Sequence, residues 1–203
     1  KRFIGELTCS DDRSRSLLDQ DGNTLRGLGN SSVTDAQLQE KLYQLFRTGK
    51  YQTIKYNCAA ADSSDLDLTL TPFPIVQKIS FDGNRVYADS TLQRIADLKN
   101  KPIRTVFDLQ RVYDAVITFY RIEGYDLARI KGAWIDLADS TLTMVIDEGQ
   151  IIGISVEGNV KTRWWVVASY FPQHIGDFYN KIRAGRGVQE IYNSGLYDNV
   201  NLR

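Results

Sequence analysis

Residues 75–84 read Ile-Val-Gln-Lys-Ile-Ser-Phe-Asp-Gly-Asn, and residues 150–159, 75 positions later, read Gln-Ile-Ile-Gly-Ile-Ser-Val-Glu-Gly-Asn. In both stretches apolar residues alternate with polar or small ones, which is the period of a half-buried β-strand. The Gly-Asn pair that follows supplies the backbone freedom for a sharp turn. The two stretches therefore predict an internal repeat whose unit opens with a strand.

A glycine at the end of an apolar-periodic run recurs three times, at Gly49, Gly124 and Gly195. In the middle copy the run has the spacing of one helix face, and its members are Leu109, Val112, Tyr113, Val116, Ile117 and Tyr120. Glycine is common just past the end of a helix, where the backbone turns left-handed. We therefore predict three long helices that end in the same way.

The segments around these helices complete the repeating unit. After each of the first two glycines the alternation of apolar residues predicts a pair of strands, at 51–59 with 65–71 and at 127–136 with 141–147. A shorter helix is predicted between the opening strand and the long helix, at 90–98 in the middle copy and at 162–171 in the third. Each unit is therefore of the α+β class, in the order β-α-α-β-β.

The repeat predicts three modules, which cover residues 1–74, 75–149 and 150–203. The first is divergent, because no Gly-Asn follows its opening strand at 2–9 and its first helix, at 10–18, is short and polar. The third is expected to be truncated before its last strand, so that the chain would be a fragment of a longer protein.

Composition excludes several classes of function. The chain carries 25 basic and 25 acidic residues, so it has no net charge to attract nucleic acid. His174 is the only histidine, which leaves little material for a metal cluster or a Ser-His-Asp relay. We therefore expect no enzyme activity, no cofactor, no metal and no small-molecule substrate. Cys9 and Cys58 form either one disulfide or two buried thiols, and both alternatives remain open.

With these landmarks the chain resembles POTRA domains, the polypeptide-transport-associated repeats of the BamA-type outer-membrane assembly superfamily. Three motifs carry the resemblance: the openings at 79–84 and 154–159, the Val-Ile-Asp-Glu-Gly close at 145–149, and the Tyr-Asn-Ser-Gly-Leu-Tyr-Asp-Asn-Val ending at 192–200. The resemblance implies tandem modules, each with a three-stranded mixed sheet packed under two helices. It also implies a periplasmic location beside a C-terminal β-barrel outside this chain. Unfolded outer-membrane polypeptides and accessory assembly proteins would then be its partners.

The resemblance further implies that the strand after the long helix lies at the sheet edge and binds partners, at 127–136 and at 53–59. The residues that we single out are Leu127, Ala128, Arg129, Ile130, Lys131, Gly132, Ala133 and Trp134. An edge strand has unpaired N–H and C=O groups to which an extended guest can bond. The alternative is that Ala128, Ile130 and Trp134 face the core. Arg129 and Lys131 would then only protect the edge from aggregation.

A second candidate surface contains adjacent tryptophans in a predicted helix. Neighbouring helix positions point about 100° apart, so Trp164 and Trp165 cannot both be fully buried in one small module. We interpret them, with Tyr170 and Phe171, as a contact to a neighbouring module or a partner. The alternative is one wide buried helix face.

The sequence thus predicts a binding protein, in the form of a POTRA segment of an outer-membrane protein assembly factor. It would bind unfolded clients by strand addition and dock accessory subunits. A segment of a two-partner secretion protein or another translocating barrel is an alternative. So are a structural spacer without clients and a tether for a catalytic domain located before Lys1.

Overall fold

The computed structural model describes residues 2–3, 16–17, 32–58, 66–158, 161–195, 197 and 199–202. Its elements confirm the α+β class. They are β1 (Arg2–Phe3), β2 (Ser32–Val33), α1 (Asp35–Arg47), β3 (Tyr51–Cys58), β4 (Leu66–Pro72), β5 (Lys78–Asp82), α2 (Asp89–Ala96), α3 (Val106–Ile122), β6 (Arg129–Asp136), β7 (Thr141–Asp147), α4 (Trp164–Tyr170) and α5 (Lys181–Asn193).

The chain forms two compact units, each with its own core. Unit 1 comprises Lys1–Gln77 and Lys101–Arg111, and unit 2 comprises Lys78–Asn100 and Val112–Arg203. The division into three modules stays a proposal.

In unit 1, helix α1 starts with a capping box. Thr34 accepts from the Gln37 N–H, and the Gln37 side chain accepts from the Thr34 N–H. Strand β3 pairs antiparallel with β4, and β1 pairs with β2. The described strands of this unit therefore form two separate pairs and not the expected three-stranded sheet. The difference lies in Arg2–Phe3, which pairs with Ser32–Val33 and not with β3 or β4. The rest of the predicted opening strand and most of the helix at 10–18 lie outside the described residues.

Unit 2 contains the three-stranded mixed sheet that the resemblance implies. The order is β5-β7-β6, with β5 parallel and β6 antiparallel to the central β7. The side chains on its inner face are buried, and they are Ile79, Phe81, Leu142, Met144 and Ile146. The buried faces of α2 and α3 complete this core.

A buried carboxylate joins the end of β7 to the turn that follows β5. Glu148 is 1% exposed and accepts hydrogen bonds from the Tyr120 hydroxyl at 2.7 Å and the Arg85 N–H at 2.8 Å. The Val86 N–H also donates to it, at 3.1 Å. Buried carboxylates are tolerated when their lone pairs are satisfied in this way. The two motifs at 79–84 and 145–149 therefore meet in space.

Aromatic rings surround this carboxylate. Tyr87 packs against Phe119, Tyr120 and Tyr125, with ring centroids 4.8, 5.3 and 5.9 Å apart. Burial, reinforced by the negative charge of Glu123, raises the pKa of Tyr87 to about 12. The pKa of Tyr120 is raised further, by burial and then by its hydrogen bond to the carboxylate. Both hydroxyls therefore stay protonated in the neutral range.

The opening strand predicted at 150–159 is wrong as far as 151–158 are concerned. These residues form no strand; Gln150 makes an isolated bridge with Phe178, and Ile151 bonds through its main chain to Gly176 and Asp177. Alternation is a property of the segment alone, whereas a strand needs a neighbour to bond to. In the middle copy β7 is that neighbour, whereas here the pairing ends after Ile151, whose N–H and carbonyl bond to Asp177 and Gly176. Residues 159–160 lie outside the described part of the chain.

The long helices are connected to the preceding repeat by main-chain bonds of one kind. The N–H of Val106, at the start of α3, donates to the carbonyl of Gly49 at 3.0 Å. The N–H of Lys181, 75 positions further on, donates to the carbonyl of Gly124 at 2.8 Å. Each glycine has positive φ, 67° and 91°, as a helix stop requires. The stop of one long helix is thus bonded to the start of the next.

The second of these joints carries additional bonds. Asn180 caps α5 by accepting from the N–H groups of Ile182 and Arg183, and its amide donates to the carbonyl of Glu123 at 2.8 Å. The Lys181 ammonium lies 3.1 Å from the Asp126 carboxylate. The start of α5 is therefore fixed by side-chain as well as main-chain bonds.

Candidate functional site

Strand β6 is an edge of the sheet in unit 2, where the predicted partner-binding residues lie. It is 8 residues long, and its one neighbour among the described strands is β7. The opposite edge is partly covered, because the Gln93 side chain donates to the Ile79 carbonyl of β5 at 3.1 Å. Among the described residues no side chain is bonded to the backbone of β6. The outer groups of β6 are therefore the more accessible to a guest.

A β-bulge at Lys131 decides which side chains of β6 face the core. Ile130 pairs with Ile146 and Gly132 with Val145, so Lys131 is the extra residue. Beyond the bulge the alternation is reversed, and Trp134 lies on the outer face, 53% exposed. The expectation that Trp134 faces the core is therefore wrong. Ala128 and Ile130, before the bulge, are buried and half-buried.

The basic residues of β6 are paired with their own sheet. The Asp147 carboxylate lies 3.0 Å from the Arg129 guanidinium and 3.1 Å from the Lys131 ammonium. The hydrogen bond from Lys131, then those from the Gly149 N–H and Arg129, lower the pKa of Asp147. Since both cations lie at the surface, they remain close to any guest at this edge. Exposed Leu127 precedes them.

In the described part of unit 1, strand β3 pairs with β4 on one side only, and an apolar groove lies beside its residues 52–54. The groove has a volume of about 460 Å³ and is lined by Gln39, Leu42, Tyr43 and Phe46 of α1 and by Gln52, Thr53 and Ile54 of β3. The sequence pattern predicted the edge but not the groove. The predicted edge at 53–59 is described as far as residue 58.

Two exposed aromatic residues form the helix side of this groove. Tyr43 and Phe46 are 59% and 58% exposed, and they are three positions apart on one face of α1. The matching positions of α3, 75 residues later, are Thr118 and Arg121, which are also exposed. An alignment of the repeats would have revealed the difference, since aromatic residues at solvent-facing helix positions need a reason.

The aromatic residues around α4 separate into two kinds. Trp164, Trp165 and Tyr170 are exposed, at 61%, 53% and 38%. Phe171 packs against α5, where a side chain at Gly187 would meet its ring at 2.9 Å. Phe171 therefore contributes to packing within unit 2, whereas the tryptophans present their rings to the solvent.

The remaining candidates are not part of these surfaces. His174 is exposed and its imidazole lies 3.9 Å from the Asp177 carboxylate. Across the described ranges no cluster of three or more His, Cys, Asp and Glu side chains could hold a metal ion. Cys9 and the side chain of Cys58 lie outside the described residues, so the disulfide stays a hypothesis. In that same part of the chain, no helix has the length and apolar character needed to span a bilayer.

The chain matches no family model and no curated protein. Solved structures do match. POTRA1-3 of the periplasmic domain of Omp85 from Anabaena superposes with a TM-score of 0.77 at 19% identity, over 98% of this chain and 87% of that one. The N-terminal domain of Omp85 from Thermosynechococcus elongatus gives 0.74 at 20% identity, over 98% and 88%. The chain therefore has the fold of POTRA domains, as its repeat predicts.

Proposed function

We propose that the chain is a periplasmic POTRA segment of an outer-membrane protein assembly or translocation factor, and that it binds unfolded polypeptides by strand addition. The fold supports the first part. The second rests on one observation, that residues 52–54 of β3 lie beside the groove of Tyr43 and Phe46 on the side where no other described strand pairs with them. The outer-membrane barrel, accessory subunits and unfolded outer-membrane clients are partners under this proposal.

The geometry at β3 suits a guest of varied sequence. Its main chain would bond to the free N–H and C=O groups of the edge, which do not depend on side-chain identity. Successive side chains of a strand point to opposite faces, so every second guest residue would face the groove. An apolar residue that fills it contributes about 1.5–3 kcal/mol. A client with alternating apolar residues would therefore bind in a preferred register.

Strand β6 is the second edge in this proposal and the weaker one. Thr118 and Arg121 replace the aromatic pair of α1, so no equivalent apolar wall stands beside it. The bulge at Lys131 also interrupts the regular ladder that a long guest needs. A guest at β6 would depend on main-chain bonds alone, and edge protection remains the alternative for this strand.

A spacer that positions a partner without binding clients is the second candidate. The repeated bonds from Val106 to Gly49 and from Lys181 to Gly124 favour it, because they fix the start of each long helix. A spacer needs such joints but has no need of an exposed aromatic groove.

The test is a titration of the isotope-labelled full chain with a ten-residue peptide that alternates apolar and polar residues. Amide shifts concentrated at 52–58 are expected. The double variant Tyr43→Thr and Phe46→Arg copies α3 at the matching positions and should weaken binding at least about tenfold, equivalent to about 1.4 kcal/mol. Tyr192→Thr, which removes an exposed aromatic residue of α5 that belongs to neither strand edge, is the matched control and should bind normally.

Each other result has a definite meaning. Shifts concentrated at 129–136 would transfer the site to β6 and contradict the assignment to β3. An unchanged spectrum at millimolar peptide would reject client binding and leave the spacer.

A further inference from the structure

Two equivalent helices differ in the residues that they expose at the positions of Trp164 and Trp165. Residues 164 and 165 occupy the positions of Asp89 and Ser90 in α2, 75 places earlier, and all four are exposed. The buried positions instead agree in character, since Val167 matches Leu92. The repeat thus folds with an acidic and a polar residue where this copy has Trp164 and Trp165. Two exposed indoles call for an explanation other than packing.

Basic residues lie on both sides of α4 along the chain. No acidic residue occurs between Glu157 and Asp177. Lys161 and Arg163 precede the helix and are exposed. At its other end the Arg183 guanidinium donates to the Pro172 carbonyl at 2.7 Å, which keeps a further cation there. The exposed aromatic residues are therefore flanked by positive charge on both sides.

We propose that this surface, formed by Lys161, Arg163, Trp164, Trp165 and Tyr170, binds the interface of an anionic lipid bilayer. Trp and Tyr rings are amphipathic and favour the headgroup level of a membrane. Lys and Arg can lay their stems on apolar surface while their charges meet lipid phosphates. The proposal goes beyond strand addition and does not depend on it.

A lipid surface fits these residues better than a protein partner does. A protein hot spot needs a pocket that fully desolvates its anchor, whereas Trp164 and Trp165 are adjacent exposed residues of a 7-residue helix. A second copy of the chain across a twofold axis would bring the same cations together. Lipid headgroups instead supply negative charge for the basic residues, at the boundary between polar and apolar layers where indole rings are stable.

Flotation of the full chain with vesicles tests the proposal. Binding is expected to vesicles of phosphatidylethanolamine and phosphatidylglycerol in a ratio of about 3 to 1, and to weaken in salt as screening predicts. Pure phosphatidylcholine should bind at least about fivefold less, because each basic residue near an anionic surface contributes roughly that factor. The double variant Trp164→Asp and Trp165→Ser, which copies α2, should lower the partition coefficient at least about tenfold.

The matched control is Trp134→Thr. Trp134 and Trp165 are both 53% exposed, so a loss restricted to α4 is not a general effect of removing a surface indole. The chain has 3 tryptophans, so in a Trp134→Phe variant only Trp164 and Trp165 contribute to tryptophan fluorescence. Their emission maximum should shift to the blue when anionic vesicles are added. Brominated lipid should quench it.

Three results would overturn the proposal. The first is that the chain binds neither kind of vesicle. The second is that the α4 double variant binds anionic vesicles as well as the original chain does. The third is that the double variant differs from the original chain only in self-association, measured by sedimentation. Affinity for the strand peptide should be the same with and without Trp164 and Trp165. Failure of lipid binding can therefore be distinguished from failure of client binding.

Discussion

Replacing Glu148 by glutamine tests whether this buried carboxylate fastens the turn after β5 to the end of β7. The carboxylate is 1% exposed, and it accepts bonds at 2.7, 2.8 and 3.1 Å from Tyr120, Arg85 and Val86. Glutamine has nearly the same shape but presents an NH₂ donor in place of one oxygen. One of the three donors would then face another donor inside the core.

The expected cost follows from the number of bonds lost. A hydrogen bond to a charged group contributes about 1.5–3 kcal/mol, and a buried group left unsatisfied costs about 1–3 kcal/mol. We expect Glu148→Gln to lower the free energy of unfolding by about 2–4 kcal/mol, a large part of the ~5–15 kcal/mol typical of a domain. Tyr120→Phe removes one donor and leaves the carboxylate its two N–H partners, so about 1–2 kcal/mol is expected.

Urea denaturation of the full chain measures these losses, and hydrogen exchange of the Arg85 and Val86 amides locates them. Both amides should exchange faster in Glu148→Gln, because they lose their acceptor. In the double variant with Tyr120→Phe the losses should be non-additive by more than about 0.5 kcal/mol. Unchanged exchange at Arg85 and Val86, or strict additivity, would refute the role given to this carboxylate.

Three further perturbations have defined outcomes. Gly83→Ala should destabilise the chain by more than about 1 kcal/mol in thermal melts, because Gly83 has a φ of 80° and its new Cβ would collide with the Ile146 carbonyl; equal stability would contradict the turn geometry. Asn180→Ala removes a helix cap and the bond to Glu123, so about 1–2 kcal/mol should be lost; the Asn180→Asp variant, which keeps the cap, should lose less. The pKa of Asp147 is lowered on folding, so its contribution is present above the unfolded value of about 3.9 and lost as the pH falls through the folded one; the drop in urea midpoint from pH 6 to pH 3 should therefore be smaller in Asp147→Asn.

Local signals allowed the repeat and its turns to be predicted from the sequence. Gly49, Gly124 and Gly195 all have positive φ, at 67°, 91° and 70°. The helix stop is local, because it depends on one residue that tolerates this conformation after an apolar run. The edge position of β6 was implied by the resemblance alone, since alternation does not say which strand is central.

The failures arose where structure depends on distant residues. A single extra residue at Lys131 reverses the alternation of β6, and Gly132 beside it, a residue that often accompanies a bulge, does not show which side chains point inward. Residues 151–158 have a strand pattern, but among the described main-chain bonds only those of Ile151, to Gly176 and Asp177, join this segment to another. The groove beside β3 needs Tyr43 and Phe46 to lie next to a strand edge, which helix periodicity cannot show.

The repeats differ most at positions that their folding does not constrain. The bonds from Val106 to Gly49 and from Lys181 to Gly124 recur because the backbone geometry recurs. They join main-chain atoms, so they do not require a particular side chain at Val106 or Lys181. The exposed positions have no such requirement. There one copy has the aromatic pair of α1 and another has the indoles of α4, where the middle repeat has small, polar or charged residues. Folding does not require exposed aromatic residues at these places, and the two binding proposals rest on that difference between the repeats.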